Sequence, residues 1–314
     1  MTAETACLPA SSKLARVGWF LLLNPVTRIV VGFVVIALAS LGAQKAVDPI
    51  HLHRADESTR SGLVLEVIAA IIMTGVILGA YALFVRVYEK RWPAEVGRIG
   101  WLVPGLALGA ALLTVVVMAL RLGGWQVVES TEPAARWAGL IVRALAAGLV
   151  VATMEEVLLR GVFFRILENS LGSWIAVLLS ALLFGLLHAG NPNATLAVAL
   201  RLSLQAGVLL AAAYMLSRSL WFVIGIHCAW NALQQGVFGG ALSGSDVHAI
   251  QTAAARGPDL LSGGGFGVEG SIFATIVCGC AGVACCVAAV RMGKVERPFW
   301  KRPEPATPTV LLPA

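Results

Sequence analysis

Glu155 and Glu156, followed four residues later by Arg160, stand at the end of a long apolar run in this 314-residue chain. On a helix, residues four apart share a face and adjacent ones point roughly 100° apart. Glu156 and Arg160 can therefore pair, and Glu155 is left pointing elsewhere. A carboxylate held in hydrocarbon is costly, so such residues face a bundle interior or a water-filled cavity. Two more polar positions interrupt equally apolar stretches: His188, closing Phe184-Gly185-Leu186-Leu187-His188, and the pair His227 and Asn231, which share one helical face. The sequence thus predicts that three apolar segments bring one free acid, two imidazoles and an amide together.

Hydrolysis of a peptide bond needs an activated water, a group that steadies the developing oxyanion, and exclusion of bulk solvent. Glu155 suits the general base, His188 can share the water or protonate the leaving amine, and His227 with Asn231 suits the oxyanion. Glu156 and Arg160 suit structural support. The same side chains offer a second scheme. Glu155, His188 and His227 would form a two-histidine, one-carboxylate set around zinc, with the water on the metal. Their spacing is not the helix with two histidines four apart that is common in zinc hydrolases. Both schemes stay open on these residues alone.

The elements that must position these groups are membrane helices. The chain is 58% hydrophobic and 13% charged, with a mean hydropathy of +0.84. That composition excludes an ordinary soluble domain and implies an all-α polytopic bundle of about eight transmembrane helices around a polar cavity. The net charge of +6 is spread over segment ends, which suits orientation against lipid headgroups rather than nucleic-acid binding. Cys278, Cys280, Cys285 and Cys286 share one apolar segment and read as small packing residues. Cys7 and Cys228 suggest no disulfide framework.

In chain order, residues 1–13 form a polar tail and residues 14–136 the N-terminal transmembrane helices. Ala37-Leu38-Ala39 resembles a signal-peptidase site, but the region before it is long, so a retained anchor is expected. Spans are expected at 26–43, 62–85 and 101–120, with Gly105, Gly109 and Ala110 suited to close helix packing. Lys45–Ser61, with His51 and His53, reads as a solvated loop, and Glu66 as a partly hydrated carboxylate. Residues 137–238 form the core, with spans at 137–160, 174–188, 194–216 and 220–238. Within it Trp230 reads as lipid-facing, Phe184 as packing, and Arg201 with Gln205 as cavity lining or a helix–helix bond. Segments 121–136 and 239–270 read as loops, the second rich in glycine and serine. A last helix at 271–290 precedes a basic, proline-rich tail, 291–314. Fifteen Lys and Arg fall on the side of the termini against six on the other, which predicts cytoplasmic termini in a bacterial-type plasma membrane.

Taken together, Glu155-Glu156-x-x-x-Arg160, Phe184-x-x-x-His188 and His227-x-x-x-Asn231, in this order on successive apolar helices, resemble the CPBP family of CAAX prenyl proteases and bacteriocin-processing (Abi) membrane proteins. The resemblance covers roughly 137–238. It implies an intramembrane endopeptidase whose cavity opens to the cytoplasm and whose substrate is a membrane-associated peptide or protein, lipidated in the eukaryotic members. Glu155 would be the base, His188 its neighbour at the water, His227 and Asn231 the oxyanion site, and Glu156 with Arg160 the support. The family is described both as zinc-dependent and as metal-free. Two other readings compete. A transporter would show internal repeats, and none is visible. A non-catalytic immunity or scaffold protein would keep the fold without the chemistry, against which the complete motifs argue.

Overall fold

The computed structural model of this protein describes residues 24–52 and 60–301, and it is a bundle of membrane helices. Seven helical segments among the described residues are long and apolar enough to cross a membrane: Pro25–Val47, Ser61–Tyr88, Ile99–Leu122, Ala134–Leu171, Ser173–Gly190, Leu196–Ser217 and Ile272–Arg291. The protein is an integral, multi-pass membrane protein. The regular helices within these spans are α1 (Pro25–Leu52), α2 (Arg60–Leu83), α3 (Leu102–Leu122), α4 (Ala134–Glu156), α5 (Arg165–Leu171), α6 (Ser173–Leu187), α7 (Leu196–Leu202) and α8 (Val208–Ser217). Helix α9 (Leu220–Leu233) continues as a wider, π-helical turn to Phe238. It carries His227, Asn231, Gln234 and Gln235, whose polarity sets it apart from the seven apolar spans. It is also the innermost helix, buried at nearly every position from Leu220 to Ala232.

Small residues let α9 reach that place. A Cβ at Gly105 or Gly109 of α3 would run into the backbone carbonyls of Phe222 and Ile226 on α9. Across the other side, Gly148 of α4 lies against Cys228 and Ala232. Without a hydrophobic drive between helices in lipid, such backbone approach supplies the packing. Gly109→Ala is therefore expected to destabilise the protein by about 1–3 kcal/mol, as overpacking does. Gly75→Ala on α2, where a Cβ meets nothing within 4 Å, serves as the neutral comparison in detergent melting curves.

Between α4 and α5, residues Val157–Phe164 are π-helical, immediately after the glutamate pair. Single π turns inside α-helices are frequent at functional sites. Another such turn, Ser203–Gly207, joins α7 to α8.

Four sequence expectations are corrected. The loop expected from Lys45 is helical as far as Leu52, while 53–59, with His53, lie outside the described residues. The loops 121–136 and 239–270 each contribute a strand. β1 (Gln126–Thr131) pairs antiparallel with β2 (Gln251–Ala255), with a bulge between Val128 and Ser130. Alternation in these strands is weak because β1 is exposed along all but its first residue. Arg121 ties this end together, donating to Gln126 Oε1 (3.0 Å), Gln251 Oε1 (2.8 Å) and the Phe238 carbonyl (3.2 Å). The rest of 239–270 folds back over the bundle through the short helix α10 (Asp259–Ser262) before α11 (Ile272–Arg291). Finally, part of the basic, proline-rich tail, expected to hang free of the bundle as a disordered segment, docks on the opposite end. The Ser173 amide donates to the Glu296 carbonyl (3.1 Å) and the Glu296 amide to Ser173 Oγ (2.8 Å). The polar tail expected at residues 1–13 lies outside the described residues, as does most of the C-terminal tail, 302–314.

At that second end a buried ion network closes the bundle. Glu89 pairs with Arg28 (2.6 Å), Arg91 (3.0 Å) and Arg165 (2.7 Å), and Glu95 with Arg91 (2.5 Å) and Tyr81. Burial pushes both carboxyls up, but the guanidiniums outweigh it and hold Glu89 and Glu95 below their ordinary value of 4.5. A lowered folded-state pKa contributes stability that is present above the unfolded value and lost as pH falls through the folded one. The melting temperature in detergent should fall on acidification below about pH 4.5, and Glu89→Gln with Glu95→Gln should flatten that slope.

Candidate active site

Glu156 is the centre of the polar cluster. Its Oε1 accepts a hydrogen bond from Arg160 Nη1 at 3.0 Å, and both side chains are fully buried. The same oxygen accepts from His227 Nδ1 at 2.9 Å. Arg160 also donates to the Gly207 carbonyl (3.2 Å) and lies over the Phe184 ring at 5.0 Å. The pairing of Glu156 with Arg160 is as the helical spacing predicts. Beyond that pairing, Glu156 also orients an imidazole.

An ionised carboxylate only accepts hydrogen bonds, so His227 carries its hydrogen on Nδ1. Its Nε2 then faces Glu155 Oε2 at 4.0 Å, too far for a direct hydrogen bond. Glu155 is the less enclosed of the two acids, its side chain 23% exposed against 0% for Glu156. Its Oε2 takes no hydrogen bond from the protein.

His188 reaches the same region from the end of α6. Its Nδ1 donates to the Phe184 carbonyl at 2.8 Å, since that oxygen can only accept, which leaves Nε2 as the free acceptor. The imidazole stacks on the Phe184 ring (centroids 4.8 Å), and the Phe184 ring also lies tilted against His227 (6.0 Å). Phe184 is the spacer between the two imidazoles as well as a packing residue.

A small cavity of about 40 Å³ lies beside this cluster, lined by His188, His227 and Asn231 together with Phe184, Leu209 and Ile226. Glu155 is not part of that lining; it borders the cavity through His227. The four expected groups are thus neighbours, with Glu155 on the other edge of His227. Among the described residues no three His, Cys, Asp or Glu side chains gather closely enough to hold a metal ion. The expected set of Glu155, His188 and His227 does not form such a group in this arrangement.

The helix neighbours of Glu155 face a different space. Val151, Met154 and Leu158 line a lateral groove of about 740 Å³ between α1, α2 and α4, with apolar walls from Ile36, Leu41 and Met73. At one end Arg143 pairs with Glu66 at 3.1 Å, so Glu66 is an ion-paired carboxylate rather than a merely hydrated one.

Two cavity groups, Glu269 and Ser243, escape the sequence reading. Glu269, just before α11, is buried and takes hydrogen bonds from Trp230 Nε1 (3.1 Å), the Ser243 amide (2.9 Å) and Ser243 Oγ (2.6 Å). Trp230 accordingly faces inward, correcting the lipid-facing expectation. Gln205 donates to the Glu269 carbonyl (2.7 Å) and Arg201 to the Gly270 carbonyl (3.0 Å). Both residues bind the covering segment rather than a neighbouring helix. The only sequence signal for Glu269 is an acid abutting an apolar span, and a loop carboxylate gives the same signal.

Residues 137–233 match the model of the Rce1-like family, described as type II CAAX prenyl endopeptidases. The match spans roughly a third of the chain and includes Glu155, Glu156, Arg160, Phe184, His188, His227 and Asn231. No curated protein and no solved structure matches the chain.

Proposed function

We propose that this chain, whose residues 137–233 carry the Rce1-like CAAX endopeptidase pattern, is an intramembrane endopeptidase that hydrolyses a peptide bond of a membrane-associated protein or peptide. The observation that carries the reading is His227 held between two carboxylates, by hydrogen bond to Glu156 and across 4.0 Å from Glu155. With Nδ1 committed, His227 Nε2 and Glu155 Oε2 are two acceptors facing each other. A water satisfies both, donating one O–H to each.

In the proposed reaction the water oxygen bonds to the scissile carbonyl carbon while Glu155 takes the water proton. The carbonyl oxygen gains the negative charge, and the Asn231 amide N–H, one turn beyond His227, is the donor that suits it. Collapse of the tetrahedral intermediate breaks the C–N bond, and Glu155 returns the proton to the leaving nitrogen. His227 joins the oxyanion site only when Nε2 is also protonated. His188, fixed in its tautomer by Phe184, presents Nε2 as a further proton acceptor. These steps use side chains alone.

The groove beside Val151, Met154 and Leu158 supports lateral entry of an amphiphilic substrate, since its size is that of a ligand-binding cleft. A lipidated peptide suits it. On the charge count, the ion-network end faces the cytoplasm and the sheet end faces outward.

The test is cleavage of a membrane-associated peptide by the purified protein in proteoliposomes, with elemental analysis and chelator as a parallel arm. Cleavage that persists in chelator-treated, metal-free protein is the expected outcome. Loss of cleavage on chelation, restored by zinc, would replace the Glu155 scheme with a metal-borne one. A protein that cleaves no peptide would favour the scaffold reading.

A further inference from the structure

The cavity beside His227 has a distinct chemical make-up. Its walls are apolar, from Leu202, Leu209, Leu210 and Ile226, and Glu269 supplies a carboxylate among its polar lining. That carboxylate comes from outside the family match. A buried carboxylate is costly unless a cation or several donors meet it. Among the described residues no Lys or Arg forms an ion pair with Glu269, and the nearby Arg201 commits its Nε to the Gly270 carbonyl. Three donors hold the group in place, two on Oε2 and one on Oε1. A carboxylate oxygen has room for two, so Oε1 keeps one acceptor site open.

A second acceptor lies alongside. Gln205 also lines the cavity; its Nε2 is fixed by the Glu269 carbonyl, which requires a donor, and its Oε1 is buried without a partner. With the Asn231 amide on the same lining assigned to the oxyanion, the two open acceptors of Glu269 and Gln205, at the end of an apolar slot, call for a group rich in N–H donors on an aliphatic stem. An ammonium has three such donors and no acceptor. Space decides between the two basic side chains. About 40 Å³ holds roughly three water-sized heavy atoms, enough for the end of a lysine but not for a guanidinium.

We propose that this cavity is a specificity pocket for a lysine side chain of the substrate, adjacent to the cleaved bond, with Glu269 as its counter-ion and Gln205 Oε1 as a second acceptor. The inference rests on the endopeptidase reading and adds the substrate class to it. The covering segment 239–270, pinned through Ser243 and Glu269, then forms one wall of the pocket.

Matched membrane-associated peptides with lysine or norleucine at each position near the cleavage point test this, read by mass spectrometry. Wild type should cleave the best lysine peptide at least about tenfold faster than its norleucine twin, because a site built to hydrogen-bond a group rejects the analogue without it. Glu269→Gln should bring that ratio to about 1. n-Butylammonium should inhibit the wild type and n-butanol at equal concentration should not, a measurement that needs no folded variant. Equal cleavage of both peptides by wild type, an unchanged ratio in Glu269→Gln, or equal inhibition by the two butyl compounds overturns the pocket while leaving the endopeptidase standing. A wild type that cleaves neither peptide overturns both.

Discussion

Glu155→Gln is expected to lower the rate of peptide cleavage by about 10²–10⁴-fold, the contribution of a positioned general base. The substitution keeps the volume of the side chain and removes only its ability to take a proton. Glu155 makes no ion pair that the fold depends on, and its side chain is partly exposed, so the variant should melt within about 0.5 kcal/mol of the wild type. That combination, a large loss of rate with little loss of stability, separates the base from a structural acid. His227→Leu provides the companion measurement, since it removes the second acceptor facing the same water. If the two act on one water, the double variant should be little slower than either single one, because groups that work as a unit are not additive.

Arg160→Leu should have the largest effect on stability. It leaves Glu156, fully buried, without its cation, and breaking a buried pair from one side costs about 3–5 kcal/mol. The guanidinium also bonds the Gly207 carbonyl and covers Phe184, so packing is lost with the charge. Removing both partners is gentler. Glu156→Leu combined with Arg160→Leu should recover most of the folded protein, because replacing both members of a buried pair by apolar residues is often neutral. Activity should stay low in that double variant. His227 loses the acceptor that fixes its tautomer, and its ring is free to turn. Melting curves and cleavage rates on the three variants read the two effects apart; a double variant that cleaves at the wild-type rate would remove Glu156 from the mechanism.

The sequence made the membrane class and most helix positions legible because apolar runs of this length have one common solution. The pairing of Glu156 with Arg160 was legible for an equally local reason, the four-residue spacing on one helix. What lay beyond reach depended on contacts distant in sequence. Glu156 with His227 joins positions 71 apart, and only the fold shows that the supporting acid also holds the imidazole. The two strands, 126–131 and 251–255, pair across more than a hundred residues with little alternation to announce them. Glu269 and Ser243 sit in a glycine-rich stretch whose composition reads as a loop, and they are held in place by Trp230, Gln205 and Asn191, which bind that stretch from the core helices and the α6–α7 turn. The expectation that Glu155, His188 and His227 would enclose one pocket holds for the two histidines; Glu155 stands outside the lining, one side chain away.

The most direct measurement of the central claim is cleavage in ¹⁸O-labelled water by purified, metal-free protein in proteoliposomes, comparing wild type with Glu155→Gln. One ¹⁸O is expected in the new carboxyl group of the wild-type product, and essentially no product from the variant. Glu155→Gln protein that yields labelled product at the wild-type rate would contradict that claim.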